Sequence, residues 1–433
     1  MVSNDKTYKL DKFFAFIIGL LSVTNAVYVF VIGSTPIHPL IIVALIYLLY
    51  LVASGRMKLS IIKKYITIDI WLLFFTIILS VFSVIFSDYY NIKQWAVGVI
   101  SIILLSFIVL AVLYEGRAKD NLYYGLIFGI FLNAIFCVVD FIFREKGIVI
   151  SLKSLFPASN IAPAVLSNPY AAKGFFLEQG HLMRFLAIFF LPVLRFAEKK
   201  SKILYYMLFF SMMLMMVMTK SASIAIFTIG YLGYLIYNLK KTYKKLIALI
   251  AFELVFLICS NFIAPLKNLI LSFTEGMNDI TDSENHGNIV RISGFNYTLN
   301  IIKEYPIFGT GWNTLSKMFM SHGYYGEDNV FGSYSAALSL VAELGVFSLL
   351  YFYFILSKSF KLIKTKDTEY VAFGFAILIY FAIFCATDFG FDAGTSVFIG
   401  LILLNNKDCA EKETAKEKNY ARGIRYDYNK NTI

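Results

Sequence analysis

Charge is what this sequence has least of. Of its 433 residues only 15% are Asp, Glu, Lys or Arg, while 59% are hydrophobic and 17% aromatic, and the mean hydropathy is +0.70. Soluble domains carry about 25% charged residues, so an ordinary soluble enzyme is excluded and the chain reads as an integral membrane protein. Cysteine and histidine are thin as well. Cys137, Cys259, Cys385 and Cys409 include no CxxC pair and no histidine at zinc spacing. Three of them lie in apolar segments and read as small core residues, not as a disulfide frame or metal site. Four histidines without an HExxH pattern argue against a catalytic metal. A cleavable leader is not expected either, because MVSNDKTYKLDK runs into an apolar stretch too long for an h-region, without a small-residue cleavage site.

What the chain has instead is apolar runs long enough to cross a hydrocarbon core of about 30 Å as helices. The expected fold is an all-α integral membrane protein with about twelve transmembrane helices. They fall at 13–32, 37–54, 68–86, 95–114, 122–143, 182–197, 204–218, 222–238, 246–263, 335–357, 370–387 and 395–405. Asp69 and Asp140 lie near span ends, where water is expected within reach. With both termini cytoplasmic, the inside segments hold 28 of the 39 Lys+Arg, the tail included, which satisfies the positive-inside rule. The net charge of +11 is then a cytoplasmic rim facing anionic headgroups, not a nucleic-acid footprint. This orientation puts the two long loops, about 144–181 and 264–334, on one outer face of a membrane domain covering 1–404, with short helices expected inside them. Residues 405–433 are polar and charged and read as a disordered basic cytoplasmic tail.

The larger loop is the long polar interval of the chain. Its start places Leu266, Leu269, Ile270 and Phe273 at i, i+3, i+4, i+7, which fits either a surface helix or a continuation of the ninth span. Asp279, Asp282 and Glu284 follow, as a solvated turn or a cation site. A helix is expected from Val290 to Glu304, with Phe295, Leu299 and Ile302 as its apolar stripe and Pro306 as its stop. Arg291 stands in its first turn, where the helix dipole does not favour a cation. Its planar fork suits bidentate phosphate recognition, and an ion pair with Glu284 is the plainer alternative. Gly309 and Gly311 make a tight turn, and His322 lies among glycines, as surface or as a base for a sugar hydroxyl. Trp312, Tyr324 and Tyr325 are read as interfacial aromatics or as sugar-stacking surfaces.

The other loop ends in KGFFLEQGHLMRF. In a helix Glu178, His181 and Arg184 step by three and share one side at the mouth of a span, a costly group to bury unless paired or functional. Lys220 sits at the outer rim between the seventh and eighth spans.

Three blocks resemble the O-antigen polymerase and ligase superfamily, multi-span glycosyltransferases acting on undecaprenyl-diphosphate-linked sugars. They are GFFLEQGHLMRFLAIFFLPVL, then TKSASIAIFTIGYL, then RISGFNYTLNIIKEYPIFGTGW followed after a gap by SLVAELGVFSLLYFYFIL. The resemblance implies a helical-bundle enzyme of the bacterial inner membrane that uses neither nucleotide sugar, metal nor other cofactor. Arginines from outer loops would hold the lipid diphosphate, and a base would activate an acceptor hydroxyl. Arg291 matches the loop arginine, and Arg184, Lys220 and Lys173 are further expected diphosphate ligands; Glu178 matches the glutamate of the first block, with His181 and His322 as other candidate bases. The expected partners are lipid-linked donor and acceptor, membrane lipids, a chain-length regulator and a flippase, with no nucleic acid.

Two departures bear on the activity. Ala222 occupies the usual arginine position of the second block, and Tyr334-Ser335 replace the histidine–asparagine pair that commonly opens the last span in ligases. The replacement favours a polymerase making O-antigen or capsular polysaccharide over a ligase acting on lipid A core or protein, unless His322 takes over. A lipid-linked oligosaccharide flippase is the reading from another class. It predicts charges along many spans and an internal repeat, and neither is visible here.

Overall fold

The computed structural model describes residues 3–24, 27–32, 35–56, 68–86, 118–146, 172–176, 179–219, 223–239, 286–315, 335–365, 367–387 and 394–405, with a few shorter pieces beside them. The expected spans 95–114 (but for a few residues) and 246–263, the amphipathic segment beginning at Leu266, the acids Asp279, Asp282 and Glu284, and the tail from 406 lie outside the described residues.

Among the described residues the chain is almost wholly helical. Five helical stretches are long and apolar enough to cross a membrane: Lys119–Phe143, Gln179–Lys200, Lys202–Thr219, Ala336–Lys364 and Thr368–Ala386. The helices in chain order are α1 (Ser3–Leu21), α2 (Pro39–Ala53), α3 (Ile68–Phe86), α4 (Lys119–Glu145), α5 (Gln179–Lys200), α6 (Lys202–Thr219) and α7 (Ser223–Asn238). They continue with α8 (His286–Glu304), α9 (Ala336–Leu344), a 3₁₀ turn at Gly345–Phe347, α10 (Ser348–Lys364) and α11 (Thr368–Ala386), and α12 is Gly394–Asn405.

The first expected span is corrected. Helix α1 stops at Leu21, and an antiparallel hairpin pairs β1 (Phe30–Ile32) with β2 (Thr35–Ile37), a departure from the all-α expectation. The Ser22 and Thr24 hydroxyls donate to Gly19 O and Leu21 O and so take the last helical carbonyls, and the β-branched run beyond them suits a strand. His38 then caps α2, its Nδ1 accepting Leu40 N–H at 3.1 Å while Nε2 meets Thr24 O. An acceptor Nδ1 requires the imidazole to carry its proton on Nε2, which faces the Thr24 carbonyl.

Helix α5 is the centre of the bundle. It is buried on every side from Leu182 to Leu194, as expected for a helix apolar all round and surrounded by others. At one end of the bundle, charged side chains join four helices. Lys199 at the end of α5 pairs with Glu369 at the start of α11, and Lys200 meets Asp120 of α4 at 2.6 Å. Lys119 reaches Asn405 of α12 at 2.7 Å. Helices α5 and α11 are therefore antiparallel, and the start of α5 lies level with the end of α11. On the α1–α2 side, Arg56 and Tyr47 both donate to the buried carboxylate of Asp11, Arg56 through two nitrogens.

Helix α4 carries Gly125 and Gly129 at GxxxG spacing, and α1 lies directly on them. A Cβ at Gly125 would stand 2.0 Å from Phe16 O, the backbone-to-backbone approach that small residues permit between membrane helices. Gly125→Ala is expected to force α1 away at a cost of about 3 kcal/mol. It should show as loss of the monodisperse detergent-solubilised protein on size exclusion. Gly233→Ala is the control, because its Cβ would meet only Phe375, at 3.5 Å.

Candidate functional site

Two structures occupy the bundle end opposite the lysine-rich one. The first joins two of the quoted motifs. Proline at 306 ends α8 as expected, and the PIFGTGW turn then docks on the ELG turn between α9 and α10. Thr310 N–H donates to Ala342 O and Gly311 N–H to Glu343 O, each at 2.9 Å; Val346 N–H returns to the carbonyls of Pro306 and Ile307. Gly309 and Gly345 have φ of 66° and 58°, and a Cβ on Gly309 would lie 2.3 Å from the Glu343 carbonyl carbon, one on Gly345 2.3 Å from Ile307 O. The Glu343 carboxylate accepts Leu315 N–H at 3.2 Å and so ties residue 315 to the ELG turn. Helix α3 closes the assembly through Ser80 Oγ, which accepts from Trp312 N–H at 3.1 Å and from Trp95 Nε1 at 3.0 Å.

This unit carries a core of its own, in which Ile301, Leu315, Met318, Phe319 and Ala342 pack together. Two expectations change here. The packed side of α8 runs through Gly294, Thr298 and Ile301, while Phe295 of the expected stripe is exposed. Trp312 is buried in the main core, so it is neither an interfacial aromatic nor a sugar platform; Tyr324 and Tyr325 lie outside the described residues. Glu343→Ala is expected to cost about 1 kcal/mol, the net worth of one hydrogen bond. Glu343→Gln keeps an acceptor oxygen and should melt close to the parent in a detergent thermal series.

The second structure is polar and buried. Lys173, Gly174 and Phe175 are pinned between α4 and α5: Asp140 Oδ2 accepts Lys173 N–H at 3.2 Å and Asn133 Oδ1 accepts Phe175 N–H at 3.0 Å. Phe175 stacks on Phe136 at 4.5 Å, and Phe176 packs on Phe185 at 5.4 Å between ring centroids. Ala172 N–H bonds Met218 O, which brings the end of α6 to the same place. Lys173 is 2% and Arg184 8% exposed, beside Asp140 at 1%. The Asp140 carboxylate, expected within reach of water, is thus enclosed and bonded to the Lys173 amide. Arg184 folds its guanidinium back over the first turn of α5, and a Cβ on Gly180 would lie 3.0 Å from its Nη2. A buried guanidinium at a helix N-terminus runs against the dipole and suits a place where an anion is met.

Of the expected site residues, Lys173, His181 and Arg184 therefore lie at one mouth of the bundle, His181 half-buried. Glu178, Lys220 and His322 lie outside the described residues. Arg291 stands in the second turn of α8, which begins at His286 and not at Val290; its side chain lies outside the described residues. By helical spacing its position falls on the row of Gly294 and Thr298. The two structures share one end, because Ser335 Oγ bonds Cys385 O and Ala336 N–H bonds Thr387 O at the end of α11, level with the start of α5. Sequence reasoning missed Asn133 and underrated Asp140. Their signal was present: with Cys137 they form one face of α4 at i, i+4, i+7. Cys137 is buried as a core cysteine should be, whereas Cys385 is exposed.

Residues 206–353 match the O-antigen ligase family model, consistent with the O-antigen polymerase and ligase superfamily. The match takes in Arg291, the PIFGTGW turn and the ELG turn, and it begins after the Lys173–Arg184 block. No curated relative matches the chain.

Proposed function

From an O-antigen ligase family domain at residues 206–353, we propose a membrane glycosyltransferase that polymerises undecaprenyl-diphosphate-linked oligosaccharide repeat units. It works on the outer face of the bacterial inner membrane, with both termini cytoplasmic. The observation that carries the reading is the joining of the PIFGTGW and ELG turns at the end of the bundle where Lys173 and Arg184 are buried. In the reaction an acceptor hydroxyl oxygen attacks the anomeric carbon of the donor sugar. The bond from that carbon to the diphosphate breaks, undecaprenyl diphosphate leaves, and the hydroxyl proton passes to a base. Arg291, Arg184, Lys173 and Lys220 are the cations proposed to meet the diphosphate, and charge aimed at a developing oxyanion lowers the barrier more than it strengthens ground-state binding. Glu178, His181 and His322 are the proposed bases.

A ligase transferring the glycan to lipid A core or protein is the second reading, favoured by the description of the matching family. Against it stand Tyr334 and Ser335 where ligases resembling this chain carry histidine and asparagine. Ser335 is moreover engaged as the cap of α9, accepting from Leu338 N–H and donating to Cys385 O. Glycolipids extracted from a deletion strain separate the two. Loss of a polymerase leaves single repeat units on the final acceptor; long chains accumulating on undecaprenyl diphosphate would instead identify a ligase.

A further inference from the structure

We propose that Asn133 and Asp140 are positioning residues that set the approach of the chain to the start of α5, which carries His181 and Arg184. The proposal rests on the reading of that block as part of the reaction site. Residues 172–176 have no regular secondary structure, so their backbone donors need partners from elsewhere. Two of these partners are the only two strongly polar side chains between Leu122 and Phe141 of α4. Asn133 and Asp140 lie two helical turns apart on one face and accept from Phe175 N–H and Lys173 N–H, at 3.0 and 3.2 Å. Gly174, with φ of 57°, lets the loop come down on them: a Cβ there would stand 2.0 Å from Asn133 Oδ1. Placing an amide and a carboxylate fully inside an apolar helix is costly unless they serve a partner. Only three residues separate Phe175 from Gln179, the first residue of α5, so any movement of the pinned segment is passed on to the helix start that carries His181 and Arg184.

The role is tested without the reaction by tryptic cleavage of the full chain in opened membrane vesicles, where sidedness does not enter. In the parent, Lys173 is buried and its amide is bonded, so the Lys173–Gly174 bond is protected. The Asn133→Ala/Asp140→Ala pair should raise cleavage there by about tenfold or more, the value of a lost buried hydrogen bond in the opening equilibrium, with other cleavage sites unchanged. Asp140→Asn keeps an acceptor oxygen and should stay protected. Should the double variant not accumulate, the single variants Asn133→Ser and Asp140→Ser give the same readout. Parent-like protection in all of them would overturn the clamp. The glycolipid ladder of the same strains, expected to shorten with the alanine pair and to return with Asp140→Asn, tests the assignment of the block: a normal ladder beside increased cleavage would leave the clamp in place and remove this block from the reaction.

Discussion

Gly309→Ala should leave little correctly folded protein. A left-handed φ costs a side-chain-bearing residue about 1–2 kcal/mol, and the new methyl would sit 2.3 Å from the carbonyl carbon of Glu343. That neighbour is backbone, held by Gly311 N–H and at the end of α9, so it cannot rotate away as a side chain would. Moving it breaks the bonds from Thr310 and Gly311, each worth about 1 kcal/mol net. The sum approaches half the stability of a typical domain, about 5–15 kcal/mol. Gly345→Ala meets Ile307 O in the same way and should behave alike. Gly311, whose φ of 107° strains any side chain as well, differs in its obstruction, because its Cβ would meet Val84 Cγ2 first; Val84→Ala should relieve that part of the Gly311→Ala loss, while no side-chain change should relieve Gly309→Ala. Detergent melting temperatures across the set check the distinction between backbone and side-chain obstruction. Equal tolerance of Gly309→Ala and Gly311→Ala would mean that the two turns are not locked together.

Arg291→Ala should abolish polymer while membrane abundance stays normal. The helix bearing Arg291 is anchored at its far end, through Ile301 and Tyr305 against Leu315, Met318 and Phe319. Loss of one preorganised donor to a developing oxyanion is worth on the order of a hundredfold or more in rate, enough to erase a ladder on a gel. Arg291→Lys should recover little, since an ammonium keeps the charge and loses the two-pronged contact with phosphate. Full ladders with lysine would reduce the residue to a generic cation, and full ladders with alanine would remove it from the site.

Both results depend on features with very different legibility. The two glycines and the proline of the PIFGTGW turn mark a break that any reading of the chain finds, and the glycine after Glu343-Leu344 marks another. That they lock onto each other is invisible in sequence, because the bonds run between backbone atoms 32 or more residues apart, whose donors and acceptors are the same in every residue. Arg291 was legible as a cation out of place. What the sequence misjudged was its helix: the first turn begins at His286, and the packed row passes through Gly294 and Thr298. The sequence predicts an apolar stripe through Phe295, whereas the buried side runs through Gly294, Thr298 and Ile301.

Beyond the first span, the sequence by itself determined where most of the described apolar helices lie, since the length of an uncharged run is set by the thickness of hydrocarbon it must match. Helix α3 starts and stops at the residues expected, 68 and 86, and the limits of α5, α6, α7 and α11 fall within a few residues of the expected spans. Only the tertiary structure decided which sides of these helices meet protein. In water an amphipathic pattern separates the two environments; in lipid both sides of a helix are apolar, and chains of lipid compete with leucine on equal terms. The decisive contacts are therefore made by glycines that permit approach, Gly19 with Gly125 and Gly309 with Gly345. The buried acceptors Asn133, Asp140 and Ser80 act alongside them, because an unmet backbone donor is costly in an apolar surrounding.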